Sequence, residues 1–427
     1  MFENIIGQAE AIRRLSQDIK DGQLPGSLLF DGPPLSAKLS GALELARVSS
    51  CDDGAAWNCD CPQCAKHRAL THSDLLLLGP KTSRAELAIA VDMLDQAPTP
   101  ASRYFFIRAV RKVCKRFDPE LYGNEEARLA KIQPLLRIVM EGLEYCLPGN
   151  GDGRLAATEA RKLLTTCEKL HDQIPASTPV FQVRSIEHQA RQGAWHRRRL
   201  IVIEHADSMM DAARNALLKI LEEPPEQTTF VLTTSRRQAI IPTILSRLRP
   251  YRFVQRDAAA ARQVLVRVFR IDQREPDLAL DTSIGDYFAQ HRGGAMETVT
   301  LQARRFLLAV LAERHDDGLV LDGQPLAAMR DSHQPAAAVM AGILKETANF
   351  GGSVDAMSWL FPAFLEEGGR LLADWLRDSR SPGLLRFAER FAACSRDSLM
   401  RYTAYNLNPA ALGEWLLASL SDTNPAS

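Results

Sequence analysis

The chain has no surplus of either charge: 52 lysines and arginines stand against 52 aspartates and glutamates. A protein that grips DNA alone usually carries a basic excess, so any nucleic-acid contact here is expected to be local or shared with partners. No apolar run approaches the ~18 residues of a membrane span. The opening MFENIIGQAEAIRRL lacks the basic start and apolar core of a secretory leader. A cytoplasmic location is the expectation. Aromatic residues are few, but 46% hydrophobic residues over 427 positions suffice for two or three globular domains.

Cysteine is sparse except in one place. Four of the eight form Cys51-x7-Cys59-x-Cys61-x2-Cys64, while Cys114, Cys146, Cys167 and Cys394 are scattered. In a reducing compartment such clustering points to metal, not to disulfides. Four thiolates suit a closed tetrahedral Zn²⁺ site with a structural role, because no coordination position is left for catalysis. Cys59 and Cys61 lie only one residue apart, and His67 offers a substitute ligand. Buried reduced cysteines without metal are the alternative.

Strand and helix signals alternate along much of the chain. Helical spacing over 9–21 ends at Pro25-Gly26, and an apolar run at 27–30 meets the turn Asp31-Gly-Pro-Pro34 before a helix over 36–48. Asp74-Leu-Leu-Leu-Leu78, Arg199-Leu-Ile-Val-Ile203 and Thr229-Phe-Val-Leu-Thr233 are continuous apolar runs, as expected of strands buried on both faces of a parallel sheet. Residues 90–175 differ: helical patterns dominate, one with Pro134 inside it, and the segment reads as a helical insertion. After residue 256 strand signals vanish, and helices are expected over 258–270, 283–291, 295–313, 335–349, 356–377, 382–400 and 409–420. The class is α/β: a parallel sheet with helices on both faces, followed by helical segments.

A phosphate-binding loop needs G-x-x-x-x-G-K-[ST], in which glycines bring N–H groups to the phosphates, lysine reaches the β/γ oxygens and a hydroxyl ligates Mg²⁺. Gly32-Pro-Pro-Leu-Ser-Ala-Lys-Leu39 keeps Gly32 and Lys38 but puts Ala37 and Leu39 at the other two places. Leucine cannot coordinate a hard cation. Where a second nucleotide motif would end its strand in Asp-Glu, the chain has Glu204 and His205. A Gly-Pro turn before an amphipathic helix, and a polar strand end at the surface, are the plainer readings of these two fragments.

Longer stretches carry a resemblance. Phe2-Glu-Asn-Ile-Ile-Gly-Gln8, Gln23-Leu-Pro-Gly-Ser-Leu-Leu-Phe30, Asn215-Ala-Leu-Leu-Lys-Ile-Leu-Glu-Glu-Pro-Pro225, the run from Thr229 to Ser235, and Ile241-Pro-Thr-Ile-Leu-Ser-Arg-Leu248 closely resemble the AAA+ subunits of bacterial DNA polymerase III clamp loaders. The resemblance is strong over 1–80 and 178–250 and weaker over 251–427. It is not detected in 90–175. It implies an AAA+ module over 1–255 with a zinc insertion near 50–67, a helical lid over 256–305, a helical collar over 306–420 through which subunits assemble, and a tail over 421–427. The collar expectation draws on Asn406-Leu-Asn-Pro-Ala-Ala-Leu-Gly-Glu-Trp-Leu-Leu417, which resembles that domain's closing helix.

The resemblance also assigns roles. Arg247, in Ser246-Arg247-Leu248, matches the arginine that reaches the ATP of an adjacent subunit. An always-charged planar fork suits a transferring phosphoryl group. A surface pair with a carboxylate is the simpler alternative for it. Thr234 joins Gly32, Lys38, Leu39, Glu204 and His205 in the chain's own degenerate nucleotide site. Gly294-Ala-Met-Glu297 aligns with a second sensor whose arginine has become Glu297, a charge that repels phosphate. Losses in the chain's own site beside a kept Arg247 imply the delta-prime type of subunit, in which binding of ATP and Mg²⁺ is doubtful. It would act with gamma/tau and delta subunits, the sliding clamp and primer–template DNA. Two alternatives are an ATP-hydrolysing gamma/tau-type subunit and a zinc-dependent nucleic-acid-binding protein. For the latter, the basic stretch 103–116, with Tyr104, Phe105 and Phe106, is a candidate contact. A helix with aromatics in the core and charges in water explains the same pattern.

Overall fold

Four of the apolar runs become strands, and a fifth strand joins them that its composition hides. In the computed structural model, β1 (Ser27–Asp31), β2 (Leu75–Leu78), β3 (Arg199–Ile203), β4 (Thr228–Thr234) and β5 (Arg249–Arg252) form one parallel sheet in the order β2-β3-β4-β1-β5. The description covers all residues except 81–83, 151, 272–282, 291–294, 317–333, 350–353, 380, 406, 408 and 422–427, and omits the side chains of 289–290, 295–297, 316, 345–349, 354–359, 403–405 and 409. Every residue of β1 to β4 is buried. The reason is the alternation of side chains across a strand. Leu29, Leu76, Ile201 and Phe230 enter one core, while Leu28, Leu77, Val202 and Val231 enter the other.

Sequence reading missed β5, because Arg249, Pro250 and Arg252 look like a loop. It lies at the sheet edge, pairs only with β1 and buries only Tyr251. Proline is tolerated there because an edge strand has a side that needs no N–H donor.

Helices α1 (Ala9–Lys20), α2 (Lys38–Ser50), α3 (Pro62–Arg68), α4 (Ala85–Gln96), α5 (Pro100–Cys114), α6 (Glu126–Cys146), α7 (Gly153–Asp172), α8 (Val180–Arg191), α9 (Asp211–Glu222), α10 (Pro242–Leu245) and α11 (Ala258–Arg267) complete most of the first unit, Met1–Arg292. The helices α4 to α8 do not form a separate body. Phe106, Val110, Leu143, Leu163 and Ile186 share one continuous core with Leu217 and Phe230. Helix α5 begins with a reciprocal cap between Thr99 and Ser102 and has Pro100 in its first turn, which suits a residue without an N–H. Helix α6 continues through Pro134. The α11 residue Leu265, with Phe269 and Tyr287 beyond it, packs against Ile89 and Met93 of α4.

The regular elements among the described residues of the second unit, Gly293–Ser427, are helices: Ala295–Asp316, Ala336–Asn349, Val354–Asp378, Pro382–Tyr405 and Pro409–Ser421. Phe306, Phe364, Trp375, Phe391 and Leu416 build its core. A Cβ on Gly368 would sit 2.5 Å from the Phe391 ring, so the glycine permits this helix contact. Gly294 lies outside the described residues. Glu297 falls in the first turn of Ala295–Asp316, with its side chain also outside them. Among the described residues no helix is long and apolar enough to cross a membrane.

Candidate nucleotide site and cysteine centre

The loop after β1 holds three residues at positive φ despite its substitutions. Gly32 has φ +157°, and a Cβ there would lie 2.1 Å from the Phe253 carbonyl oxygen. Leu35 and Ala37 both hold left-handed conformations, φ 58° and 69°, that side chains with a Cβ ordinarily avoid. Ala37 therefore keeps the conformation expected of the missing glycine, at a strain of order 1 kcal/mol. The lysine is turned inward. Lys38 Nζ donates to the carbonyl of Gly32 at 2.7 Å, to that of Pro33, to Ser36 Oγ at 3.3 Å and to Ser235 Oγ at 3.1 Å. Leu39 packs, partly buried, in the core cluster of Phe2 and Phe30. Arg256, missed in the sequence, clamps the loop by donating to the carbonyls of Ile6 (3.0 Å) and Leu35.

The end of β3 is equally committed. Glu204 is buried and paired with Arg116, itself buried, from the turn after α5. A carboxylate so engaged is not free to meet a cation. His205 sits at φ 50°, and its N–H reaches Thr233 Oγ1 at 3.4 Å. Thr234 Oγ1 donates to Asp207 Oδ1 at 2.6 Å, and Arg236 pairs with Asp207 Oδ2 at 2.8 Å. Gly32, Lys38, Glu204, His205 and Thr234 thus gather at the carboxyl ends of β1, β3 and β4, where ligands bind in open α/β sheets. Arg116 could not have been located in advance, because 88 residues separate it from Glu204.

Arg247 lies elsewhere. It precedes β5, whose Arg249 aligns with Leu28 near the start of β1, so Arg247 belongs to the amino edge of the sheet. Its guanidinium donates to the Thr243 carbonyl and pairs with Glu222, the two side chains being 29% and 52% exposed. Pro25, Gly26, Glu222, Ser246, Arg247 and Arg249 border an open depression of about 380 Å³.

The four clustered cysteines converge: the sulfurs of Cys51, Cys59, Cys61 and Cys64 all lie within 4.8 Å of one another. Cys51 Sγ is 3.6 Å from Cys59 Sγ and 3.9 Å from Cys61 Sγ. Metal–sulfur bonds of about 2.3 Å in a tetrahedron require sulfurs about 3.8 Å apart. The donor set therefore fits a thiolate metal site, and the close Cys59–Cys61 spacing does not prevent it. Arg47 Nη1 donates to Cys64 Sγ at 3.0 Å while the same guanidinium pairs with Glu44 at 2.6 Å, both residues buried. His67 is not part of the cluster. Its buried ring stacks on His72 at 4.0 Å between centroids, so it is not the substitute ligand its spacing allowed.

The basic stretch 103–116 departs from both readings of its sequence. Phe106 is core, as an amphipathic helix requires, but Arg103, Arg111, Lys115 and Arg116 are buried as well. Arg111 Nη1 donates to the Ala69 carbonyl at 2.9 Å, and Arg108 Nη1 to those of His67 and Arg68. These carbonyls end α3, where unpaired oxygens and the helix dipole attract cations. Lys115 Nζ reaches the Leu75 carbonyl at 3.0 Å and Asp118 at 2.8 Å. Arg108, Arg111 and Lys115 thus tie α5 and the turn after it to the end of α3 and the start of β2, while Arg103 donates to the Leu147 carbonyl and Arg116 pairs with Glu204.

A family model described as DNA polymerase III, delta subunit, matches residues 7–114 and 154–257. Only 115–153 falls between the matched segments, a narrower insertion than the 90–175 read from the sequence. The delta' subunit of DNA polymerase III from Yersinia pestis is 38% identical over 135 residues, 25% of this chain and 38% of that protein. The delta' subunit from Bacillus subtilis is 39% identical over 67 residues, 16% and 20% of the two chains. The gamma/tau subunit from Mycobacterium tuberculosis is 28% identical over 162 residues, 35% and 27% of the two chains. The matched parts cover well under half of these relatives' own lengths. Matched on both sides of its insertion, and carrying the five-stranded parallel sheet, the chain is a relative of the DNA polymerase III delta' and gamma/tau subunits, similar over about half its length to the delta-subunit family model.

Proposed function

We propose that this chain helps a DNA polymerase III clamp loader place the sliding clamp on primed DNA, with no effective ATPase of its own and with Arg247 lent to a neighbouring subunit's nucleotide. The observation that carries the reading is the separation of Arg247 from the chain's own loop. They lie at opposite edges of the sheet, with the five residues of β1 between them. At about 3.3 Å per residue that is roughly 16 Å, too far for one guanidinium to serve its own loop. Arg247 is half-buried, but its partner Glu222 is exposed, and a surface pair of this kind is worth about 0.2–1 kcal/mol, so turning toward another subunit costs little.

The expected partners are gamma/tau and delta subunits, the clamp and primer–template DNA, all in the cytoplasm. Zn²⁺ held by Cys51, Cys59, Cys61 and Cys64 would stabilise the module locally and leave no open coordination position.

Reconstitution with gamma/tau, delta and clamp tests the reading. Arg247→Ala should leave assembly intact and lower DNA-stimulated ATP hydrolysis by about 10³-fold or more at the one site it serves. An unchanged ATPase would refute the role of Arg247. Mg²⁺-dependent hydrolysis by the isolated chain, lost in Lys38→Ala, would establish the gamma/tau-type activity instead.

A further inference from the structure

Trp195 is 76% exposed, more than any other large apolar side chain among the described residues. Its backbone is nevertheless pinned. Asp74, almost fully buried, accepts the N–H of Trp195 through Oδ1 and that of His196 through Oδ2, each at 2.8 Å. Arg199 Nε stands 3.6 Å from the same carboxylate, and β3 begins at that residue. A buried acid thus fixes the loop beneath an indole that the fold leaves in water.

The surroundings of the indole are cationic. No acidic residue occurs between Glu187 and Glu204, an interval that contains Arg191, His196, Arg197 and Arg198. His196 and Arg197 share a single carboxylate, Asp52, at 2.9 and 3.6 Å, and Arg197 is 57% exposed. Arg198 Nη1 donates to a neutral hydroxyl, Thr229 Oγ1, at 2.9 Å. Arg191 pairs with Glu187 at 3.3 Å and Arg197 also donates to the Cys51 carbonyl at 2.9 Å, so the excess of positive charge rests on Arg198 and on the exposed face of Arg197.

We infer that residues 195–198 form a platform for single-stranded nucleic acid, with a base stacked on Trp195 and a phosphate held by Arg197. Base stacking on a projecting aromatic ring beside arginines is the chemistry of sequence-tolerant strand binding. The neighbours of the ring are arginine and histidine, and arginine beside a stacking platform supplies the phosphate contact that strand binding needs. Such binding belongs to the chain by itself and does not require clamp-loader assembly.

The test uses the full chain and a fluorescent oligo(dT) of about 15 nucleotides, a length within the usual range of strand-binding sites, read by anisotropy from low to moderate salt. Trp195→Ala, at a solvent-facing position, should weaken binding about 5- to 150-fold, and Trp195→Phe should restore most of it. Arg197→Gln should reduce the slope of log K against log salt by about 0.7. Absence of oligonucleotide binding at low salt would overturn the inference. So would equal binding by Trp195→Ala, or equal affinity for duplex of the same length. A Trp195→Ala chain that binds oligonucleotide normally but fails to enter the reconstituted complex would put a protein on this platform, and would overturn it too.

Discussion

Replacing Arg116 with methionine keeps the stem of the side chain and removes its charge. Glu204, only 9% exposed, is then left as a buried carboxylate without its cation. Removing one member of a buried pair costs about 3–5 kcal/mol, because the desolvation of the survivor is no longer offset. Arg161–Asp95 provides the internal comparison. Its side chains are 59% and 43% exposed, and loss of such a pair costs about 0.2–1 kcal/mol. The double variant Arg116→Met/Glu204→Met removes both charges and should recover the loss, since apolar replacement of a buried pair is often neutral or stabilising. Urea unfolding followed by circular dichroism, with wild type, both singles and the double, measures the coupling. A cost below about 1 kcal/mol for Arg116→Met would show that the pair is effectively solvated. The claim that the insertion holds the acid at the end of β3 would then fail.

Two further outcomes follow from the cysteine module. The purified chain should hold one equivalent of zinc by atomic absorption; Cys64→Ser or a strong chelator should release it and lower the melting temperature, whereas a metal-free chain of unchanged stability would refute the site. His67 concerns pH: burial first, then the nearby His72 and Lys115, depress its pKa to about 2 from the usual 6.5. The unfolded chain therefore takes up a proton below pH 6.5 that the folded chain refuses. Stability is unaffected above that pH and falls below it by up to about 1.4 kcal/mol per pH unit. His67→Phe keeps a ring against His72 and removes this penalty. Between pH 7.5 and 5 its stability should rise relative to wild type by about 2 kcal/mol, and parallel pH curves would contradict the burial argument.

Local chemistry made much of this protein readable in one dimension. Apolar runs of four or five residues with no polar face could only be strands covered on both sides, and those at 75–78 and 199–203 are. The loss of oxygen at Leu39 and the convergence of the clustered cysteines were likewise matters of residue type and spacing. Strand β5 was not readable, because an edge position cancels the usual objection to proline and arginine. The fate of the basic stretch was not readable either. Helical periodicity says which side of α5 is apolar, but not that carbonyls ending α3 lie within reach of Arg108 and Arg111.

By itself the sequence determined the parallel sheet, the altered nucleotide residues and the cysteine donor set, since each depends on neighbours close along the chain. Only the tertiary structure decided what became of the charges. Arg116 meets Glu204 across 88 residues, and Asp74 pins the loop at Trp195 across 121. Such partners are chosen when chain closure and burial bring distant groups together, and a charge taken out of water must be matched by whichever opposite group the fold delivers.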